Sequence, residues 1–385
     1  MNSKLKSRLF YIEESANKNN LQFKELITLV KDSLSNRANN EIFHEILDIA
    51  HLSNISNLIY RTKQTEIWFD YLVQIIKISN YNLGFLLRQR ANRYQEKIAF
   101  QILKNGKAQN ISYKSLWKKI IEVGKSLNTF KNNEKYPVIG LLTHNQLNSA
   151  LVDLACLSFG IKVIPIPINS TEEHVSYIIE HAEISHLFIG GKNGENLWNR
   201  IRDSHSIKDI ILDKNNESNY YYMDWNTFLE NSDKIKNFDI EYHLTSIDIH
   251  STQTIMYTSG TTANPKGIVF DQLNIITKRY ARAIALPQLN SNDVFLSYLP
   301  LFHTFGRYFE MLGSLFWGAN YGFAESPAFN SLLNDFKLIK PTIFISIPKR
   351  WVQLYNLIEN SLDLDFEEKS NIQQTLQKIT GGNLK

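Results

Sequence analysis

The densest group of residues with chemical potential is the run YTSGTTANPKG, residues 257–267. It combines three threonines and a serine with two glycines and one lysine. Hydroxyl and backbone N–H groups donate to phosphate oxygens, glycine allows the backbone to approach closely, and lysine adds a positive charge. The run therefore predicts a loop that binds a polyphosphate. It is not the common P-loop, because Pro265 precedes Lys266 where that motif has glycine.

Strand-forming residues flank this run on both sides. The segment 254–257 precedes it and Ile268-Val269-Phe270 follows it, so the sequence predicts a polar loop between two buried strands. A plain hairpin connection is the alternative, because Ser, Thr, Asn, Gly and Pro are ordinary turn residues. Such a turn needs only about two to five residues, and for this reason we favour the phosphate loop.

The run resembles the signature loop of the AMP-forming adenylate synthetases, the family of acyl-CoA synthetases, adenylation domains and luciferases. The resemblance implies that the loop holds the phosphates of ATP. The residues implied to bind ATP are Thr258, Ser259, Gly260, Thr261, Thr262, Lys266 and Gly267. Lys266 is also implied to be catalytic, and Thr262 to be a ligand of Mg²⁺. One departure is Ala263, where the family usually has glycine; alanine disfavours positive φ.

A histidine follows a second predicted strand. Residues 294–299 are typical of a strand and Pro300 ends it, so His303 falls on a loop at the carboxyl end, where open α/β sheets bind ligands. An isolated histidine is more often a buried structural residue. The string LPLFH, however, resembles the LPLxH segment of long-chain acyl-CoA synthetases, whose histidine lies beside the acyl carboxylate. The resemblance implies a catalytic and substrate-binding role for His303.

Two further segments extend the resemblance to the long-chain branch. Arg307 and Glu310 match its arginine and a later glutamate, but Gly306 stands in place of another glutamate. We expect Arg307 and Glu310 to be structural rather than catalytic. Residues 340–351 are similar to the family's PTxxxxVPRxW segment and predict a core strand that enters a helix.

Paired glycines lie near residue 385, after a segment that we expect to be a strand. Gly381 and Gly382 would let a ligand approach the backbone. They resemble the family's GGAPL loop, which implies that both bind substrate. The family's Tyr-Gly-x-Thr-Glu loop, its Thr-Gly-Asp segment, its hinge and its small C-terminal domain are not found in this sequence. We therefore expect a fragment of a longer protein.

Strands and helices alternate from about residue 84 onward. Predicted strands cover 97–103, 111–113, 138–142, 163–168 and 186–190, and predicted helices cover 86–94, 116–127, 146–159 and 172–183. Ser115 is the expected N-cap of the second of these helices. The alternation predicts the α/β class, with parallel-sheet subdomains and helices on both faces. The resemblance implies that this part is an incomplete copy of the large N-terminal domain of the adenylate-forming fold.

The first eighty residues lie outside the resemblance. Their apolar residues recur at helical spacing around 23–34, 42–50 and 67–78. We expect residues 1–80 to form a helical N-terminal extension, and residues 81–385 to form an AMP-binding domain truncated at its C-terminal end. Cys156 lies in an apolar run and is expected to be a core residue. We expect His174, His181 and His186 to lie on the surface.

Bulk properties exclude several classes of protein. A net charge of +4 is small for 385 residues and gives no case for a nucleic-acid partner. The single cysteine excludes an intrachain disulfide. No apolar stretch approaches the roughly 20 residues of a membrane span, and the start does not resemble a signal peptide. We expect a cytoplasmic protein, with peripheral membrane contact left open because fatty substrates partition into membranes.

The resemblance implies a reaction in two steps. A long-chain fatty carboxylate attacks the α-phosphate of ATP, giving an acyl-adenylate and pyrophosphate; the thiol of coenzyme A then displaces AMP. Cations and hydrogen-bond donors stabilise the charge, and no covalent protein nucleophile is needed. Two alternatives stay open. The chain could belong to an adenylating enzyme that loads a carrier protein, or it could be a non-catalytic nucleotide- or acyl-binding protein.

Overall fold

Five helices form the first part of the structure. A computed structural model describes residues 2–18, 20–212, 223–258, 264–361, 369–381 and 384. The helices are α1 (Asn2–Asn17), α2 (Phe23–Ser35), α3 (Asn40–Ile49), α4 (Ser53–Arg61) and α5 (Thr65–Ser79). Apolar side chains at helical spacing give each an inward face, as Leu26, Leu29 and Val30 do in α2. The sequence predicted three of these helices, and α1 and α4 are additional.

Strands and helices alternate through the remaining described residues. The first half contains α6 (Leu83–Tyr94), β1 (Ile98–Lys104), β2 (Lys107–Ser112), α7 (Tyr113–Asn128), β3 (Ile139–Thr143), α8 (Leu147–Ser158), β4 (Val163–Pro165), α9 (Glu172–His181), β5 (His186–Gly190), α10 (Gly191–Ile201) and β6 (Lys208–Ile211). The second half contains β7 (Met223–Asp224), α11 (Trp225–Glu230), α12 (Ile240–Thr245), β8 (Thr252–Thr258), β9 (Lys266–Asp271), α13 (Gln272–Ala285), β10 (Val294–Ser297), a π-helix (Phe305–Met311), α14 (Leu312–Trp317), β11 (Asn320–Phe323), α15 (Phe329–Ile339), α16 (Pro348–Ser361) and α17 (Lys369–Thr380).

The strands form two sheets. One has four strands in the order β10-β11-β1-β2, and the other has seven in the order β7-β6-β5-β3-β4-β8-β9. Neighbours are parallel except for the two edge pairs, β1 with β2 and β8 with β9, which are antiparallel. The predicted α/β class with largely parallel sheets is therefore what the chain adopts. Each sheet additionally carries one antiparallel edge strand.

The centre of the seven-stranded sheet is buried on both faces. Every residue of β3 and β5 is buried, as expected for parallel strands covered by helices on both faces. Cys156 of α8 is fully buried, which confirms it as a core residue. His186 is buried as well, stacked on Phe130 at 4.4 Å between ring centroids. The predicted surface position of His186 was wrong, because β5 lies inside the sheet.

Two local predictions are corrected by the backbone. The N-cap of α7 is Ser112, whose hydroxyl accepts from the Ser115 amide at 3.3 Å; Ser115 was the wrong cap by one turn. Residues 340–347 do not form a continuous strand. Ile343 pairs with Phe295 in a single bridge, and α16 begins at Pro348.

The first five helices share a core with the rest of the chain. One cluster of buried apolar side chains runs from α1 to β11. Asp48 of α3 accepts hydrogen bonds from Arg90 and Arg93 of α6. Tyr280 of α13 donates to the Leu47 carbonyl at 2.9 Å. The division at residue 80 stays a prediction, while the packing between the two parts is extensive.

Among the described residues, none of the helices combines the length and the apolar character needed to cross a membrane.

Candidate functional site

The predicted phosphate loop connects β8 to β9. The two strands pair so that Thr258 lies opposite Lys266, and the Thr258 hydroxyl faces the Lys266 carbonyl at 3.5 Å. Both residues are exposed, so their side chains are accessible to a ligand. Gly267 follows within β9, opposite Tyr257. The loop thus joins two adjacent antiparallel strands, which is the hairpin connection of the alternative interpretation. Its lysine is the first residue of β9.

The central part of this loop was predicted to supply Ser259, Gly260, Thr261 and Thr262. These residues lie outside the described part of the structure, so their roles stay predictions. The expectation of two buried flanking strands was half wrong. β8 is largely buried, but β9 is exposed along most of its length, with Ile268 and Val269 about half accessible. The reason is that β9 is the edge strand of its sheet.

His303 lies on an exposed loop after β10, as the sequence predicted. Its backbone amide donates to the Pro300 carbonyl at 3.0 Å, and its own carbonyl accepts from the Arg307 amide at 3.0 Å. The π-helix starts two residues later. π-helical turns are rare and occur frequently at functional sites.

Gly306 explains one departure from the long-chain pattern. A Cβ at this position would lie 2.4 Å from both the Leu299 and the Pro300 carbonyl oxygens. Backbone atoms cannot yield as a flexible side chain can, so a glutamate does not fit here. The loop that carries His303 is therefore folded tightly on the first turn of the π-helix.

The histidine loop lies against the carboxyl end of β3 in the seven-stranded sheet. Asn145, in the turn between β3 and α8, donates to the Leu299 carbonyl at 2.7 Å and accepts from the Leu301 amide at 2.9 Å. A small cavity separates the loop from the sheet, with room for about one water molecule. It is lined by Leu141, Thr143, Ser149, Asp153, Pro165, Leu301 and Phe302.

Arg307 forms a buried ion pair behind this loop. Its guanidinium donates to both carboxylate oxygens of Asp153, at 2.9 and 2.5 Å, and to the Thr254 hydroxyl at 2.9 Å. Burial opposes the charged form, but the Asp153 carboxylate more than offsets it and keeps the pKa of Arg307 above its usual value. The π-helix is thereby linked to α8 and to β8, the strand that leads into the phosphate loop.

Glu310 is also fully buried. Its carboxylate accepts from the Ser297 hydroxyl, which in turn accepts from the Tyr321 hydroxyl at 3.0 Å. Burial raises the pKa of Glu310 well above its ordinary value. An enclosed carboxyl group that accepts from a buried hydroxyl suits a structural role, and so does the buried pair of Arg307 with Asp153; the structural roles expected for both residues stay predictions.

Gly381 does not follow a strand as predicted. It follows α17, and its amide donates to the Gln377 carbonyl at 2.7 Å. Its φ of 65° lies in the left-handed region that glycine adopts when it ends a helix. The sequence signal of paired glycines was therefore a helix stop at this position. Gly382, the other predicted substrate contact, lies outside the described residues.

Comparison with known proteins supplies the family. Residues 87–383 match the family described as AMP-binding enzyme, which is more than half of the chain. The chain belongs to the AMP-binding enzyme family. The matched range begins inside α6, so the five N-terminal helices precede it. It contains every site residue predicted from the sequence, and the predicted family is confirmed.

Curated relatives of this chain include long-chain acyl-CoA synthetases, which confirms the predicted branch. Fatty acyl-CoA synthetase A of Dictyostelium discoideum is 28% identical over 66% of this chain and 38% of its own length. The long-chain-fatty-acid–CoA ligase ACSBG2 of Homo sapiens is 26% identical over 71% of this chain and 42% of its own length. The chain thus spans about two fifths of the length of these relatives.

Solved structures confirm the predicted adenylate-forming fold. The A domain of a carboxylic acid reductase from Segniliparus rugosus, solved with AMP and a co-purified carboxylic acid, has a TM-score of 0.67 at 14% identity. The match covers 79% of this chain and 55% of that chain. O-succinylbenzoate coenzyme A synthetase from Bacillus subtilis, solved with ATP and magnesium, has a TM-score of 0.54 at 17% identity. This match covers 70% of the present chain and 65% of the synthetase chain.

Several residues that build this site were not predicted from the sequence. Asp153 and Thr254 partner Arg307, and Asn145 holds the histidine loop. The two loop attachments join positions 154 apart in the chain, and no local pattern reports such a contact. Asn145 alone carried a usable signal, because it stands at the carboxyl end of a buried strand, where α/β sheets place functional residues.

Proposed function

We propose that this chain supplies the phosphate and acyl parts of an enzyme site that activates long-chain fatty acids with ATP. The carboxylate attacks the α-phosphorus, the bond to pyrophosphate breaks, and an acyl-adenylate forms. The thiol of coenzyme A then attacks the acyl carbon, and AMP leaves. The family match carries the proposal, together with the exposed positions of Lys266 at the start of β9 and of His303 on the loop after β10.

Charge explains the roles proposed for the two side chains. The attacking carboxylate and the triphosphate are both anionic, so the reaction needs cations and donors that stabilise the spreading charge. Lys266 supplies a positive charge to the phosphates, and the hydroxyls and amides of residues 258–262 donate to their oxygens. His303 supplies a ring nitrogen beside the acyl carboxylate. Gly381 and Gly382 stay proposed contacts to the substrate.

Mg²⁺ fits this arrangement as a partner of the nucleotide. It favours oxygen ligands and is ordinarily held by substrate phosphates, water and one or two carboxylates. Thr262 is the proposed protein ligand. Within the described residues no group of three His, Cys, Asp or Glu side chains is arranged to hold a metal ion. When bound, the ion would neutralise charge on the phosphates.

Exchange of pyrophosphate into ATP, dependent on palmitate, tests the first step. We expect exchange by the wild-type chain and a loss of about a hundredfold or more in Lys266→Ala, the order found when one charge-stabilising group is removed. Lys278→Ala is the matched control, since Lys278 is an exposed lysine of α13, the next element after β9. Unchanged exchange in Lys266→Ala would contradict the role of the lysine.

A folded chain that binds ATP or palmitate without any exchange would favour the non-catalytic alternative instead. The thiol acceptor needs a separate assay, in which preformed acyl-adenylate is offered coenzyme A and a phosphopantetheinyl carrier protein together. We expect acyl-CoA to be the main product. A main product of acylated carrier would favour the carrier-loading alternative. A cytoplasmic location and peripheral membrane contact stay predictions.

A further inference from the structure

The amide side chain of Asn145 attaches the loop that carries His303 to the carboxyl end of β3 through two hydrogen bonds. We propose that Asn145 is a positioning residue that sets the place of His303 beside the acyl carboxylate. The inference rests on the function proposed above for His303. Asn145 itself does not contact the reacting atoms; it acts on the backbone between Leu299 and Leu301.

Two hydrogen bonds of Asn145 enclose Pro300. The amide nitrogen donates to the Leu299 carbonyl at 2.7 Å, and the amide oxygen accepts from the Leu301 amide at 2.9 Å. The Pro300 carbonyl in turn accepts from the His303 amide at 3.0 Å. Proline has no N–H group, so Pro300 offers only its carbonyl, and Asn145 binds a carbonyl before it and an amide after it. Asn145 is thus connected to the His303 backbone through the turn at Pro300 and one further hydrogen bond.

Asparagine suits this position because its amide offers a donor and an acceptor in one plane. Aspartate of the same shape would keep the bond to the Leu301 amide but would place an acceptor against the Leu299 carbonyl. Alanine would lose both bonds. The support behind Asn145 is rigid, because β3 is wholly buried and α8 is buried from Ser149 onward. Groups that position a site work best when rigid elements carry them.

A second attachment holds the other side of the same loop. Asp153 lies in α8, eight residues after Asn145, and accepts from the guanidinium of Arg307. The backbone amide of Arg307 donates to the His303 carbonyl. His303 therefore lies between two points that are both fastened to the β3–α8 unit. Loss of the attachment at Leu299 and Leu301 would free the side of the loop that Arg307 does not reach.

A matched control separates positioning from ordinary stabilisation. Asn148, at the start of the same helix, donates through its amide to the Leu212 carbonyl at 2.9 Å. That bond joins α8 to the residue after β6, where no site residue is proposed. Asn148→Ala therefore removes a similar backbone contact of the same helix and leaves the histidine loop alone.

The experiment uses the full chain with Asn145→Ala, Asn145→Asp and Asn148→Ala. Amide hydrogen exchange, followed by mass spectrometry over residues 299–304, should accelerate at least about tenfold in Asn145→Ala, accelerate less in Asn145→Asp, which keeps the bond to the Leu301 amide, and stay unchanged in Asn148→Ala. Palmitate-dependent pyrophosphate exchange should show kcat/KM for palmitate lowered about tenfold to a hundredfold, as expected for a small displacement of a catalytic group. The KM for ATP should change less than about twofold.

Two outcomes would overturn the inference. One is unchanged hydrogen exchange over 299–304 in Asn145→Ala. The other is a loss of palmitate turnover that Asn148→Ala reproduces in full, which would mean a general effect on α8. If the wild-type chain shows no pyrophosphate exchange, the proposed function fails. The hydrogen-exchange comparison then still decides whether Asn145 fixes the loop, and a thermal shift with palmitate decides whether it affects the acyl site.

Discussion

Arg307 carries its positive charge in the interior of the protein because the Asp153 carboxylate pairs with it. Both side chains are at most 3% exposed, and the pair is bidentate. Taking two charges out of water is costly, so removing one partner of such a pair leaves an uncompensated buried charge. The pair stabilises the fold only as a unit, and the histidine loop depends on it.

We expect Asp153→Ala to lower the free energy of unfolding by about 3–5 kcal/mol, because Arg307 would lose its only carboxylate partner among the described residues. Urea unfolding followed by circular dichroism measures the change. Glu172→Ala is the control; its ion pair with Arg200 is about half exposed, and such pairs contribute less than about 1 kcal/mol. Equal losses in the two variants would show that burial of the Asp153 pair is not decisive.

At the residue scale, sequence alone identified the side chains that belong to recognisable strings. Thr258, Lys266 and His303 belong to hydroxyl, lysine and histidine patterns that predicted exposed loops. The structure places His303 on an exposed loop, whereas Thr258 and Lys266 are exposed residues at the end of β8 and the start of β9. The sequence could not identify Asn145, because an asparagine beside a strand is common and its two partners are far away in the chain. His186 was misjudged for a related reason. Neighbouring strands bury it, and the local sequence does not report them.

At the scale of elements, the histidine loop shows how much depends on tertiary contacts. Strand β10, its terminating proline and the position of His303 follow from local sequence. The π-helix does not, since it exists where Gly306 packs on the Leu299 and Pro300 carbonyls and Arg307 reaches α8. Similarly, Gly381 was expected after a strand, because paired glycines suit both a ligand loop and a helix end, and local sequence does not choose between them.

The contact between α3 and α6 contains a histidine that should respond to pH. His44 donates through its Nε2–H group to the Ser79 carbonyl at 3.3 Å and packs against the rings of Tyr81 and Phe85. Burial, assisted by the charge of Arg88, lowers the pKa of His44 from 6.5 to about 4. The unfolded chain therefore binds this proton at a higher pH than the native chain. Stability from this group is complete above pH 6.5 and is lost as the pH falls toward 4.

We expect the free energy of unfolding to drop more steeply over this range in the wild type than in His44→Gln, by up to about 1 kcal/mol per pH unit. Urea titrations at pH 7, 6, 5 and 4.5 measure the slopes. His250→Gln is the control, because His250 is exposed. If His44→Gln keeps the wild-type slope, His44 has the same pKa in the native and the unfolded chain, and the burial argument fails.

At the scale of the whole molecule, the N-terminal helices and the matched family region form one packed unit. Buried side chains of α1 to α5 belong to the same apolar cluster as those of β1, α8 and α14. The sequence predicted helices here and a boundary near residue 80. The sequence could not predict that the apolar faces of these helices would cover α6 and α13. Amphipathic spacing indicates which face of a helix is buried, but it does not identify the element that packs against that face.

The only sulfhydryl of the chain lies in the middle of this unit. Cys156 of α8 is fully buried, and burial, with the nearby charge of Asp153, raises its pKa well above the ordinary value. A thiol reacts as the thiolate, so alkylation has to wait until α8 separates from its neighbours. Maleimide labelling should be slow in the native chain and should accelerate in Asp153→Ala. Native labelling as fast as that of glutathione would show that the helix opens freely. The labelling rate of Cys156 therefore measures how often α8, the helix that supports the His303 loop, separates from its neighbours.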